Sequence, residues 1–90
     1  MRYERKRSFD RIFKKLNYGE QVTIVEAIDK LLSFYESGIK SEGLGLKHLK
    51  DDLWEIRTSI RNRILFSIYG DLISFLLLGN HEIKKFLRSY

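Results

Sequence analysis

The chain has 90 residues, 43% hydrophobic and 32% charged, a balance that fits one small folded domain over 1–90 and argues against a disordered chain. It has no cysteine, which excludes a disulfide framework and a thiolate metal site, and no apolar run approaches the roughly 20 residues that span a bilayer. The net charge of +5 is unevenly placed: +5 over residues 1–15, −3 over 16–42 and +3 over 43–90. Basic ends around an acidic middle suggest a polyanion-binding face, and nucleic acid is the commonest polyanion.

Residues 2–6 alternate weakly and suit a short edge strand. No apolar stretch follows this basic start, so no signal peptide is expected and the cytoplasm is the expected location. Ser8 is the expected N-cap of a first helix. Behind it, Phe9, Ile12, Phe13 and Leu16 fall at i, i+3, i+4 and i+7, one apolar stripe. Asn17-Tyr18-Gly19 breaks that helix. A second is expected over 20–35, with Ile24, Ile28, Leu31, Leu32 and Tyr35 as its stripe, Val25 beside it and Gly38 as its stop. The short break makes the two an antiparallel hairpin.

Residues 36–52 read as a loop with a short strand near 46–49. The period then changes to two. In "LWEIRTS", Trp54, Ile56 and Thr58 share one face, and Glu55, Arg57 and Ser59 the other. In "NRILFSIY", Ile64, Phe66 and Ile68 oppose Arg63, Leu65, Ser67 and Tyr69. Gly70-Asp71 turns the chain into a hairpin. "LISFLLL" is apolar on both faces, as suits a strand covered on both sides. Ile83, Phe86 and Leu87 are spaced for a short terminal helix. The expected class is α+β: an N-terminal strand and helical hairpin packed on a three-stranded antiparallel meander, then a short C-terminal helix.

The polar face of the meander carries the candidate chemistry. Glu55 and Arg57 point the same way, and a hairpin brings Arg63 near them. His81 follows the last strand. Such a set can cleave RNA: a base takes the ribose 2′-hydroxyl proton, cations steady the phosphorane, and an acid protonates the leaving 5′-oxygen. Glu55 or His81 suits the base, Arg57 and Arg63 the phosphate, and His81, with a reference pKa of about 6.5, suits either proton role. Lys47, Lys50, Arg61, Lys84 and Lys85 are candidate RNA-backbone contacts. The plainer alternatives are a solvated Glu55–Arg57 pair, a turn or cap role for His81, a surface role for His48 and a core role for Trp54. Two histidines 33 positions apart make neither a metal site nor a cofactor expected.

In order, "LKHLKD", "LWEIRTS", "NRILFSI", "LISFLLLG" and "GNH" resemble the sheet of the RelE/ParE toxin superfamily of type II toxin–antitoxin modules. The preceding helical hairpin resembles it too. The resemblance implies a RelE-like fold and one of two activities, ribosome-dependent mRNA cleavage or inhibition of DNA gyrase. It also implies an antitoxin as partner, with ribosome and mRNA as targets for the first activity. Arg63 and His81 stand where the family keeps an arginine and a later arginine or histidine. Glu55 and Arg57 stand where RelE-like members often carry two lysines, so one cation is kept and the other is an acid. Leu87 falls where some members have a tyrosine. The expected function is therefore that of a RelE-like mRNA endonuclease, with a ParE-like gyrase inhibitor and a non-catalytic module of the same fold as rivals.

Overall fold

The structure, a computed structural model, describes residues 1–39, 44–58 and 62–79. Strand β1 (Arg2–Arg5) leads directly into helix α1 (Arg7–Phe13), and helix α2 (Tyr18–Ser37) follows after a four-residue break. Strands β2 (Leu46–Lys50), β3 (Leu53–Arg57), β4 (Arg63–Tyr69) and β5 (Leu72–Gly79) complete one five-stranded sheet in the order β1-β5-β4-β3-β2. The β1–β5 pair is parallel, with Arg2 beside Leu72 and Arg5 beside Phe75. The other three pairs are antiparallel.

The short strand expected near 46–49 is present and joins the three-stranded meander as its fourth strand. The segment 46–50 pairs with β3 through a tight Asp51-Asp52 turn, with Leu46 opposite Ile56 and Lys50 opposite Leu53. Asp51 adopts a left-handed φ of 51°, a region that Asp tolerates better than most residues. Its carbonyl lies 2.6 Å from His48 Nε2. A second turn, Gly70-Asp71, joins β4 to β5 as expected, with Gly70 at φ 61°.

Both helices cover one face of the sheet. Phe9 of α1 and Ile24 and Leu31 of α2 are buried with Ile56, Ile64, Phe66, Ile73 and Phe75. Ile12, Phe13, Leu16, Ile28, Leu32 and Tyr35 pack around them, so both predicted stripes face the core. Val25 does not; it is 47% exposed, because one residue on from Ile24 is about 100° further round the helix, beside the stripe and not on it. Trp54 packs against this core as expected, with its ring 4.6 Å from that of exposed His48.

Two helix starts differ from expectation. The N-cap of α1 is Lys6, and the Ser8 hydroxyl instead donates to the Leu76 carbonyl. The pairing with β5 runs up to Lys6, whose N–H donates to Phe75, so the helix begins at once and Ser8 falls in its first turn. Helix α2 begins two residues early because Asn17 Oδ1 accepts from the Glu20 N–H, a side-chain cap. Gly38 ends it at φ 75°, as the sequence predicts. The expected C-terminal helix lies outside the described residues.

Strand β1 is held by side chains as well as backbone. Arg2 donates to both Asp71 carboxylate oxygens, at 2.8 and 3.2 Å. That hydrogen bond holds the Asp71 carboxyl below the ordinary carboxylate range. Glu4 accepts from the Ser74 hydroxyl at 2.8 Å and pairs with Lys6 at 3.0 Å. The Ser74 bond first, and Lys6 second, lower its pKa.

Both carboxylates are lowered on folding, so their contribution is complete above the unfolded carboxylate pKa of about 4 and is lost as pH falls through the lower folded values. Acidification should therefore loosen β1 first. Amide hydrogen exchange in residues 2–5 should accelerate below about pH 4 relative to β4. Asp71→Asn with Glu4→Gln should remove that difference; a pH response equal in both proteins would show that other groups control the strand. Phe75 touches Tyr3, Phe9 and Phe66 at ring-centre distances of 5.8 to 6.1 Å. Phe75→Ala should cost about 3–5 kcal/mol in urea unfolding.

Candidate functional site

The face of the sheet away from the helices holds two of the predicted catalytic residues, Glu55 and Arg63. Strand alternation puts Lys47, Glu55 and Arg63 on it, and the register brings them together. Lys47 lies opposite Glu55, Glu55 opposite Leu65, and Arg57 opposite Arg63. One position along β4 from Leu65 on this face, Arg63 reaches diagonally across to β3. Its Nη1 stands 3.9 Å from Glu55 Oε1. That separation is an ion pair and too long for a hydrogen bond.

The surroundings of this pair are apolar. Leu53 and Leu65 are completely buried, with Leu49, Leu76 and Leu77 packed around them. They form a second, smaller cluster, distinct from the core beneath the helices. A one-residue irregularity lies between Leu65 and Phe66 in the β4–β5 register, where Leu65 pairs Leu77 and Phe66 pairs Phe75. The extra residue, Leu76, joins Leu77 beside Leu65, since a bulge places two residues opposite one. A similar shift between His48 and Lys50 supplies Leu49. The sequence shows Leu65 on the polar strand face but gives no sign of these two shifts.

Against this floor Glu55 is only 7% exposed, and the side chain of Arg63 is 22% exposed. Among the described residues neither side chain has a hydrogen-bond partner, and the ion pair is the polar contact that joins them. The Coulombic contact holds both side chains in place in a poorly solvated setting, where such contacts are stronger than in water.

The remaining predicted residues divide. Arg57 is exposed at the end of β3, where it lines a cleft of about 120 Å³ with Thr58, Leu44 and the α2 residues Thr23, Glu26 and Lys30. Gly45, at φ 60°, lets the chain pass it closely; a Cβ there would lie 3.2 Å from Arg57 Cβ. Lys47 and Lys50 are exposed on β2. His81, Arg61, Lys84 and Lys85 lie outside the described residues. Among the described residues no cluster of three or more His, Asp or Glu could hold a metal ion. No helix among them is long and apolar enough to cross a membrane.

One basic region carries more than the sequence pattern suggests. Arg7, Arg11, Lys14 and Lys15 line a groove between β1 and α1. The sequence shows the charge excess of this segment; the groove arises only when α1 folds back beside β1.

A glutamate in ion-pair contact with an arginine has a measurable signature. Arg63→Ala should destabilise the protein by about 1–3 kcal/mol, the range for leaving one nearly buried polar group without its partner. Glu55→Gln in the same chain should recover part of that loss, with a coupling of about 0.5–3 kcal/mol in a double-mutant cycle. Strictly additive losses would show that the two groups do not sense each other.

Neither models of protein families nor curated protein sequences match the chain. Solved structures do. A chain of the archaeal RelE–RelB complex from Pyrococcus horikoshii superposes with a TM-score of 0.70 at 16% identity, over 88% of this chain and 92% of that one. The YoeB/ParE toxin from Agrobacterium tumefaciens gives 0.64 at 16%, over 90% and 99%. YafQ from Escherichia coli gives 0.62 at 10%, over 93% and 98%. Helix pair, parallel first strand and antiparallel meander together are the fold of the RelE-like toxins.

Proposed function

We propose that this chain is the toxin of a type II toxin–antitoxin module and that it cleaves mRNA on the ribosome. The observation that supports this most is the Glu55–Arg63 pair, 3.9 Å apart, with Glu55 buried and Arg63 partly so, and with no side-chain hydrogen bond to another described residue. It stands on a fold whose solved examples include RelE, YoeB and YafQ.

In this reading Glu55 takes the proton of a ribose 2′-hydroxyl, and the oxygen attacks the adjacent phosphorus. Arg63 holds the non-bridging oxygens as charge builds on them, with Arg57 as a second cation at the rim. His81 returns a proton to the departing 5′-oxygen. The products are a 2′,3′-cyclic phosphate and a free 5′-hydroxyl, so atoms and protons balance. Lys47 and Lys50 hold the backbone electrostatically, and Arg61, Lys84 and Lys85, outside the described residues, are assigned the same role by their charge alone. Because charge on an isolated toxin cannot be switched off, control falls to a protein partner. A cognate antitoxin with an acidic segment, meeting this basic face in the cytoplasm, fits that need.

The test is cell-free translation with mapping of mRNA 5′ ends, comparing the wild type with Arg63→Ala, Glu55→Gln and His81→Ala. Ribosome-dependent ends should appear with the wild type. They should fall about 100-fold or more in rate with Arg63→Ala, as expected for loss of one transition-state donor. Intact mRNA and full translation with the wild type would refute the nuclease, and DNA supercoiling would then be the assay for a gyrase inhibitor.

A further inference from the structure

The groove between β1 and α1 encloses about 860 Å³. Six of its lining residues are cations: Arg5, Lys6, Arg7, Arg11, Lys14 and Lys15. Two are carboxylates, and both are already occupied. Glu4 pairs with Lys6 at 3.0 Å and Asp10 with Arg5 at 3.4 Å. Among the described residues nothing pairs with Arg7, Arg11, Lys14 or Lys15.

Arg7 and Arg11 stand one turn apart on α1, and Lys14 and Lys15 follow in the turn just after its end at Phe13. Four residues apart, Arg7 and Arg11 are neighbours about 5–6 Å apart at Cβ, and Lys14 and Lys15 extend the positive row past the end of the helix. Like charges this close repel, and the Arg7–Arg11 pair at i, i+4 weakens α1 itself. A row of anions lying along the groove would relieve that repulsion. The walls meet a phosphate with two guanidinium forks and two ammonium groups, the donors best matched to its oxygens. No aromatic ring lines the groove, so it offers nothing for a base to stack on. It is built to hold a backbone and leave the bases unread.

The geometry points to this groove as a second nucleic-acid site, which binds the sugar–phosphate backbone of a strand without reading its sequence. It is separate from the lysines of β2. The groove lies at the β1 edge of the sheet, and Lys47 and Lys50 at the opposite edge, roughly 19 Å away across five strands spaced about 4.8 Å apart. The inference rests on the toxin reading only in taking RNA as the first probe.

Fluorescence anisotropy would use a labelled 2′-O-methyl RNA of about 20 nucleotides, which lacks the attacking hydroxyl, and DNA of the same sequence. Titrations of the full chain run from 50 to 200 mM salt. The comparison protein carries Arg7→Gln, Arg11→Gln, Lys14→Gln and Lys15→Gln together. Four lost single-strand phosphate contacts should lower the slope of log affinity against log salt by about 3, so that the wild type loses about 50-fold more affinity across this range than the variant. The RNA and DNA arms identify which strand the groove prefers, and a four-cation dependence in either supports the site. An unchanged slope in a folded variant overturns it, as does binding confined to anionic phospholipid vesicles. Acetylation of the wild type, read by mass spectrometry, needs no folded variant. RNA should protect Lys14 and Lys15; protection of Lys47 and Lys50 alone would overturn the groove. Loss of mRNA cleavage with the groove still binding would refute the nuclease reading alone, and cleavage with an unchanged slope would refute the groove alone.

Discussion

The parallel contact between β1 and β5 sets the arrangement of everything between them. A parallel pair cannot be closed by a tight turn and needs a crossover. Here the crossover contains both helices and three further strands. Helix α1 must start where β1 ends, beside the second half of β5, and the Ser8 hydroxyl on the Leu76 carbonyl fixes it there. Phe9 then enters the core against Phe75, and α2 returns across the same face. The two helices therefore fall on one side, and the other side of β3 and β4 is left for the charged pair.

That second side is a small apolar floor with charge at its margin. Leu53 and Leu65 are as fully buried as the residues of the main core, and Glu55 stands directly opposite Leu65. A carboxylate so placed loses hydration, and an adjacent guanidinium compensates in part. A hydrophobic pair at these positions would serve stability as well or better. Retaining charge there makes sense if a charged ligand completes the arrangement, which is the physical basis for reading the pair as functional.

Much of this was legible in the sequence because the signals were periodic. The stripe at Phe9, Ile12, Phe13 and Leu16 and the alternation through Trp54–Ile56 and Ile64–Phe66–Ile68 both give their faces correctly. The neighbourhood of Glu55 and Arg63 follows from the same alternation plus one hairpin. What escaped depends on register and tertiary contact. The short strand at "LKHLK" was legible, but its sparse apolar positions gave no sign that it pairs with β3 as part of the meander. The shifts at Leu49 and Leu76 add residues to the floor without leaving a compositional trace. Ser8 has the chemistry of a cap, but the strand before it takes up the backbone in which a cap would sit. The basic groove was visible as charge and not as shape, since concavity requires the angle between β1 and α1.

The same first strand bears on how the chain comes together during synthesis. A chain made from its N-terminus exposes β1 first, yet the residues it pairs with, Leu72 to Phe75, are among the last of the sheet to be made. For most of synthesis β1 is an open edge with no partner, the condition in which strands join those of other chains. Its sequence, Arg2-Tyr3-Glu4-Arg5, carries charge at three positions of four, and like edges bearing such charge repel or hydrate in place of stacking. The composition that makes β1 a weak strand on its own thus keeps it available until β5 arrives, and the long wait between them puts closure of the sheet at the end of folding, where such distant contacts form slowest.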